Sequence, residues 1–358
     1  MAVSFTIPGP YTKTVRQTLN KGWKIITYDS DNAYPQRTAA ILEGSPTGVA
    51  CSGIFAKFIE GKGFEDAAFY KAVINRKSQT VDQVLRLIAR DYARHGYFAL
   101  HIGYNKLFEI DSITRIDPRY VRLGLPDSNE YSAKVAVYND WARDNYKVVK
   151  RQKIDYIDNF APEFAQLQHE AAEEAGQYWQ GQCFLYTGEE QAYVKCPHDA
   201  VLVQMETEAL IAKGRRAKFQ RGTSVKHMLM FPHGLTEEER EIIKASLERM
   251  QGPDGDPISV IEGAAYHETS GGMVMPQLVA IDHTKGPEEM HSIDAEDIRK
   301  EIMRGYNQPT VLHSEFKDTG MSSADQIQVA FEFYNQFTIQ ARRVMEETFA
   351  KLIPLFKY

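Results

Sequence analysis

From Asp294 onward the chain reads as helix, polar loop and helix, and this segment constrains the fold more than any other. The loop opens at Asn307-Gln308-Pro309 and closes at Ser322-Ser323. Proline lacks an N–H and restricts the residue before it, so the first helix cannot simply continue through Pro309. Beyond the loop, Ile327, Phe331, Tyr334, Phe337, Ala341, Val344, Met345, Phe349, Leu352 and Phe356 recur at spacings of three and four. That period places them on one face of a long helix. Ser322 or Ser323 supplies an N-cap oxygen, Asp325 suits the positive end of the helix dipole, and Pro354 marks the expected end. A polar loop held between two strong helices is a device for projecting a hairpin into a space that something else occupies.

A chain of 358 residues has room for two or three globular units. With 43% hydrophobic and 25% charged residues it can build packed cores and does not read as disordered. No apolar run approaches the ~20 residues that span a bilayer. Met1-Ala2-Val3-Ser4-Phe5 lacks the basic start and apolar core of a secretory signal. Cys51, Cys183 and Cys196 form no CxxC pair and leave one over in any disulfide scheme, which fits a reducing compartment. The net charge of -6 argues against wrapping nucleic acid through a basic surface, but not against letting DNA slide past without sticking.

The first 25 residues, with Pro8, Gly9 and Pro10, read as an extended arm. Helices are expected from Pro35 through Ile41 and from Val49 to Phe58, separated by Gly44-Ser45-Pro46 and ended by Gly61-Lys62-Gly63. Thr80-Val81-Asp82-Gln83 opens a further helix that runs to Gly96. The period then changes. Tyr97 to Tyr104, Ile110 to Ile116, Tyr120 to Leu125, Ala133 to Tyr138 and a segment near Tyr156 read as strands, an α+β unit with a sheet of sequential hairpins. Phe160 to Gln177 reads as a helix with an acidic, solvated Glu170 to Glu174 patch, and Cys183 to Tyr186 as a short strand.

A helix from Asp199 toward Phe219 ends in the basic run Lys213, Arg215, Arg216, Lys218, Arg221 and Lys226, which points to a surface, subunit or DNA contact. A strand at Val225 to Phe231, a helix capped by Thr236 ending near Met250, a Gly/Pro-rich turn and a strand at Ile258 to Glu262 make a compact insert between two helices.

Catalytic motifs are missing. The sequence has no Walker-type loop, GxSxG elbow, HExxH or regular Cys/His array. Cys196 and His198 match no common zinc spacing, and Asp282, His283, His291 and Asp294 are most simply a charged helix start. No enzyme, cofactor, metal or membrane span is expected.

The order of segments resembles the portal proteins of tailed bacteriophages. The residues that carry it are Tyr28-Asp-Ser-Asp-Asn-Ala-Tyr-Pro35, Ser45-Pro-Thr-Gly48, Phe58-Ile-Glu-Gly-Lys-Gly-Phe64, Ile88-Ala-Arg-Asp91, His95-Gly-Tyr-Phe-Ala-Leu100 and Ile116-Asp-Pro-Arg-Tyr-Val-Arg122. Later come Leu235-Thr-Glu-Glu-Glu-Arg240, Ile298-Arg-Lys-Glu-Ile302 and Tyr306-Asn-Gln-Pro309. The resemblance implies an α+β, ring-forming subunit: an arm over 1–25, a wing over 26–196, stem helices over 197–221 and 281–306, and an α/β clip over 222–280. It further implies a tunnel loop over 307–324 and a C-terminal wing helix over 325–358, with a crown minimal or absent.

On that resemblance the chain forms a homo-oligomeric ring, commonly a dodecamer, at one capsid vertex of a virion assembled in the host cytoplasm. Double-stranded DNA is packaged and ejected through it, and a large terminase, capsid and neck adaptor proteins dock on it. In the loop, Val311, Leu312, Phe316 and Met321 are expected to pack against neighbouring loops, and His313, Lys317 and Asp318 to face DNA. The competing readings are a metal-dependent hydrolase built on the Asp282 to Asp294 cluster and a capsid adaptor that never encircles DNA.

Overall fold

The computed structural model describes residues 17–28, 31–126, 132–139, 141, 154–188, 193–221, 227–231, 236–251, 258–262, 277–280, 287–313 and 322–352. Contacts divide the chain into two units, Met1–Glu206 with Ile298–Tyr358, and Thr207–Asp297.

The first unit begins with a hairpin, β1 (Gln17–Asn20) and β2 (Ile25–Tyr28). The arm expected over 1–25 is therefore a strand pair from Gln17 on, because Trp23 and Ile25 have an apolar pocket to fill beside Trp141 and Ile154. Helices α1 (Tyr34–Gly44) and α2 (Pro46–Glu60) follow, with Ser45 capping the second through Gly48 N at 3.0 Å. After a short α3 (Ala67–Lys71), α4 (Val81–His95) starts in a reciprocal Thr80/Gln83 capping box. It stops at Gly96, whose φ of 76° lies in the left-handed region that favours glycine.

The main sheet contains β3 (Phe98–Tyr104), β4 (Ile110–Ile116), β5 (Val121–Leu123), β6 (Lys134–Val137), β7 (Asp155–Asn159) and β8 (Gln182–Tyr186). Their spatial order is β4-β3-β8-β7-β6-β5. This corrects the expected run of sequential hairpins: β8 inserts between β3 and β7 and runs parallel to β7. The crossover between β7 and β8 carries α5 (Ala165–Glu174).

The order also dictates curvature. Strands β4 and β5 lie at opposite edges, which in a flat sheet are about 24 Å apart at ~4.8 Å per strand. The link from Ile116 to Val121 reaches at most roughly 18 Å fully extended. The sheet must therefore curl until its edges approach. Its concave interior holds Ala99, Val121, Val135, Ile157 and Cys183, with Ile116 packed against them, so all six strands feed one small cluster. Each edge is engaged at one point: Gly124, just past β5, bridges Ile25 on β2, and Ile113 N on β4 donates to Ile74 O at 2.7 Å.

Alternation along β3 sends Ala99 inward and Phe98, Leu100 and Ile102 outward. The outward set joins α2, α4 and the C-terminal helices in the largest core, with Val84, Ile88, Tyr334, Met345 and Phe349. Burying each such side chain contributes about 1.5–3 kcal/mol.

Helix α6 (Leu202–Arg221) leaves the first unit and α8 (Pro287–Gly305) returns to it. Between them the second unit holds β9 (His227–Phe231), α7 (Glu237–Gln251), β10 (Ile258–Glu262) and β11 (Gln277–Ala280), in the order β10-β9-β11. β9 and β10 are parallel, which requires a crossover, and α7 supplies it. The expected Thr236 cap is present, with Thr236 N donating to Glu239 Oε2 at 2.9 Å. β11 is an addition to the expected strand, helix and strand.

The expected long C-terminal helix is interrupted once. It forms α9 (Ser323–Phe337) and α10 (Ile339–Leu352), with the break at the fully buried Thr338. Arg342 Nη2 donates to Asn335 O at 2.7 Å and Thr338 Oγ1 to the same oxygen at 3.1 Å, drawing that carbonyl away from the helical ladder.

Candidate functional site: the root of the 307–324 loop

Three backbone features end α8. Tyr306 N donates to Met303 O at 3.2 Å, Gln308 N donates to Met303 O at 2.9 Å, and Asn307 sits at a φ of 51°. Asparagine tolerates that left-handed conformation better than most residues, so the Asn307-Gln308-Pro309 triplet turns the chain sharply. A 3-10 turn over Thr310–His313 follows, and Ser322 caps α9 with its Oγ 3.2 Å from Asp325 N.

Gln308, only 5% exposed, ties this turn into the core. Its Nε2 donates to Cys51 O at 2.7 Å on α2 and to Tyr334 Oη at 2.9 Å on α9. A carbonyl only accepts, so the amide nitrogen must face Cys51. The amide oxygen then faces His313 Nε2 at 2.8 Å, which assigns the donated proton to that ring nitrogen. Both N–H groups and the carbonyl oxygen of one side chain are used on three separate segments. Around it Tyr334 meets Phe58 edge to face with centroids 4.8 Å apart. Tyr306 places its hydroxyl 3.2 Å from His198 Nδ1. Burial lifts the Tyr306 and Tyr334 hydroxyls well above the ordinary tyrosine range and lowers His198 to about 4, so the root is held by neutral hydrogen bonds.

Replacing Gln308 by alanine removes three hydrogen bonds at once, to Cys51 O, Tyr334 Oη and His313 Nε2, each worth ~0.5–1.5 kcal/mol net. The expected loss is about 2–3 kcal/mol, read as a lower denaturant midpoint with an unchanged slope. A shift too small to resolve would show that the loop root is not held this way.

The structure places Val311, Leu312 and His313 in the half-buried 3-10 turn, with Leu312 packed against the main core and His313 on Gln308. Phe316, Lys317, Asp318 and Met321 lie outside the described residues. Lys213, Arg215 and Arg216 are exposed on α6; Lys218 and Arg221 belong to the same helix, and Lys226 lies outside the described residues. Asp282 and His283 also lie outside them, while His291 and Asp294 fall within α8. Among the described residues no group of three or more His, Cys, Asp or Glu could hold a metal ion. Cys196 and His198 are buried structural groups, Cys196 Sγ lying 3.3 Å from Tyr34 Oη. Gln308 itself carries no local signal of its role, because its partner Cys51 is 257 positions away.

α9 differs from its neighbours. Of its residues only Ala330 and Tyr334 are buried, while Ile327, Val329, Phe331, Phe333 and Phe337 are each 45–58% exposed. Ile327 and Phe331 flank the buried stripe on one side and Val329, Phe333 and Phe337 on the other, so one helix leaves an unusually large amount of apolar surface uncovered.

No protein-family model and no curated protein matches the chain. Solved structures do. A chain in the virion of a native gene transfer agent particle superimposes with a TM-score of 0.52 at 11% identity, covering 89% of this chain and 78% of that one. This protein shares its fold with a gene transfer agent chain. A chain in the neck of an empty gene transfer agent particle gives a TM-score of 0.51 at 11% identity, over 88% and 77% of the two chains. An HK97 family phage portal protein from Corynebacterium diphtheriae matches over 82% of this chain and 84% of its own, at 11% identity and a TM-score of 0.41. The mixed α+β fold expected from the sequence is the fold shared with the two gene transfer agent chains.

Proposed function

We propose that this chain is a portal subunit: a homo-oligomeric ring at one capsid vertex through which double-stranded DNA is packaged and ejected. The observation that carries the reading is the helix, loop and helix from α8 to α9, whose root is locked into the core by Gln308 and whose second helix keeps five large apolar side chains exposed. A locked root lets a short loop bear load from a moving polymer, and uncovered apolar surface is satisfied by burial against further copies. The likeness to virion and neck chains supports the same location.

In this reading 26–196 is the wing, the segments 197–221 and 281–306 are stems, 222–280 is the clip that meets a terminase motor and later a neck adaptor, and 307–324 is the tunnel loop. Lys317 contacts phosphate, and the exposed Arg215 and Arg216 serve a subunit or DNA contact. The protein does no chemistry of its own. Repeating a charge of -6 around a ring makes an acidic assembly that weakens phosphate binding and favours sliding.

The test is imaging of the purified chain, alone and in particles, for a ring with a central hole, together with deletion of Ser314 to Gly320. The cut spares Leu312 and His313 because both belong to the root. Rings are expected to form while packaging or DNA retention is lost. Unchanged packaging by such rings would remove the loop's assigned role, and particles without a ring would remove the portal reading.

A further inference from the structure

Away from the loop root, α1, α2 and α4 enclose an open groove of about 580 Å³. From α2 it is lined by Val49, Gly53 and Ala56, with Ser52 among them and Lys57 and Glu60 toward the helix end. One wall is a ridge of arginines, Arg86, Arg90 and Arg94 on α4, four residues apart and thus ~6 Å apart along one helix face. Arg86 is held by Glu60 at 2.9 Å and Asp82 at 3.2 Å, and Arg94 lies 3.9 Å from Glu43. Arg90, exposed between them, makes no ion pair within 4.0 Å among the described residues.

The counterpart of this groove is on the same chain. α5 stands out from the crossover between β7 and β8, with Ala165 as its buried residue. Phe164 and Leu167 are 51% and 60% exposed, and with Ala171 they form an apolar row at helical spacing. Beside it runs an acidic row, Glu163, Glu170 and Glu174, all exposed. An apolar row flanked by carboxylates matches the Val49, Gly53 and Ala56 lining flanked by guanidiniums, and Glu170 to Glu174 repeats the ~6 Å step of the arginine ridge.

The geometry points to a second copy of this chain as the occupant of the groove, its α5 laid against α2 and α4. The two surfaces are different patches of one subunit, so the contact is heterologous, and repeating it generates a ring or an open helix rather than a closed dimer. The inference deepens the ring reading by naming one subunit contact, yet either can fail alone.

The test uses two variants of the full chain, Arg90→Glu with Arg94→Glu and Glu170→Arg with Glu174→Arg, each checked for native circular dichroism. Self-association is read by analytical ultracentrifugation. Each variant alone is expected to associate on the order of a hundredfold more weakly than the parent chain, since like charges then face each other. Mixing the two in equal amounts is expected to restore assembly, because each groove then meets an α5 of opposite sign and the copies alternate. Variants that assemble like the parent, folded variants that no mixture rescues, or a parent chain that stays monomeric at hundreds of micromolar would each overturn the contact. In all three cases imaging of whole particles decides the ring independently.

Discussion

Substituting Arg122 with alanine should lower stability by about 4 kcal/mol, among the largest effects open to a single change in this chain. Arg122 is the central residue of β5; its side chain is completely buried and has no carboxylate partner in reach among the described residues. Instead Nε donates to Asn32 Oδ1 at 2.7 Å, Nη1 to Val121 O at 2.7 Å and Arg119 O at 3.1 Å, and Nη2 to Asn32 O at 2.7 Å and Gln36 Oε1 at 3.3 Å. Its carbon lies 5.7 Å from the Tyr28 ring and 5.5 Å from that of Trp141. Burial pulls its pKa down, offset by nearby tyrosines and Asp31. Removing it leaves several buried acceptors unpaired and opens a cavity between two rings. At roughly 2–4 °C per kcal/mol for a unit of this size, the melting temperature should fall on the order of 10 °C. Arg122→Lys should rescue little, because a single ammonium cannot reproduce the planar fork. A lysine variant with parental stability would show that only the charge matters.

Acid should destabilise the protein well above the pH at which exposed carboxylates titrate. Burial lowers His95 to about 3 and His198 to about 4, so both are neutral when folded, whereas the unfolded chain protonates them below about 6.5. For those groups the unfolded state binds more protons and stability rises with pH. Asp91 acts in the opposite sense: burial raises it to about 6 against the pull of Arg115, whose Nε and Nη2 each lie 2.6 Å from its oxygens. Between pH 4 and 6 the unfolded chain thus gains two protons on the histidines and the folded chain holds one on Asp91. The net of one proton gives about 1.4 kcal/mol per pH unit, or roughly 3 kcal/mol from pH 6 to 4. Denaturation at a series of pH values should show this slope, and His198→Gln should bring it close to flat. A parent chain whose stability is level or falls from pH 4 to 6 would mean that the histidines are not held neutral.

What was legible in the sequence was local. Thr80, Gln83 and Gly96 announce the bounds of α4, and Thr236 with Glu239 the start of α7, because capping partners sit within four residues of one another. The apolar period from Ile327 onward announced the last helices. It did not announce the break at Thr338, since that residue is compatible with a helix until Arg342 and its own hydroxyl compete for Asn335 O. Nor did it reveal that Val329 and Phe333, off the expected face, stay exposed. Motifs that looked separate proved to be one structure: Asn32, within the Tyr28 to Pro35 stretch, and Gln36, just after it, accept from Arg122 of the Ile116 to Arg122 stretch, 90 and 86 positions away.

By itself the sequence determined the bounds of elements with local caps, such as α4 and the start of α7, that the chain is α+β with an insert between two helices, and that the helix before Pro309 cannot continue through it. Those features depend on a few neighbouring residues, and hydrogen-bond geometry within one or two turns settles them. Only the tertiary structure decided that β8 enters the middle of the sheet, that one short link joins the two edge strands β4 and β5, and that Gln308 ties the turn after α8 to Cys51, Tyr334 and His313. The first and last of these join segments distant in the chain. Their pairing is selected by the burial of whole faces at once, a quantity that no short stretch of sequence contains.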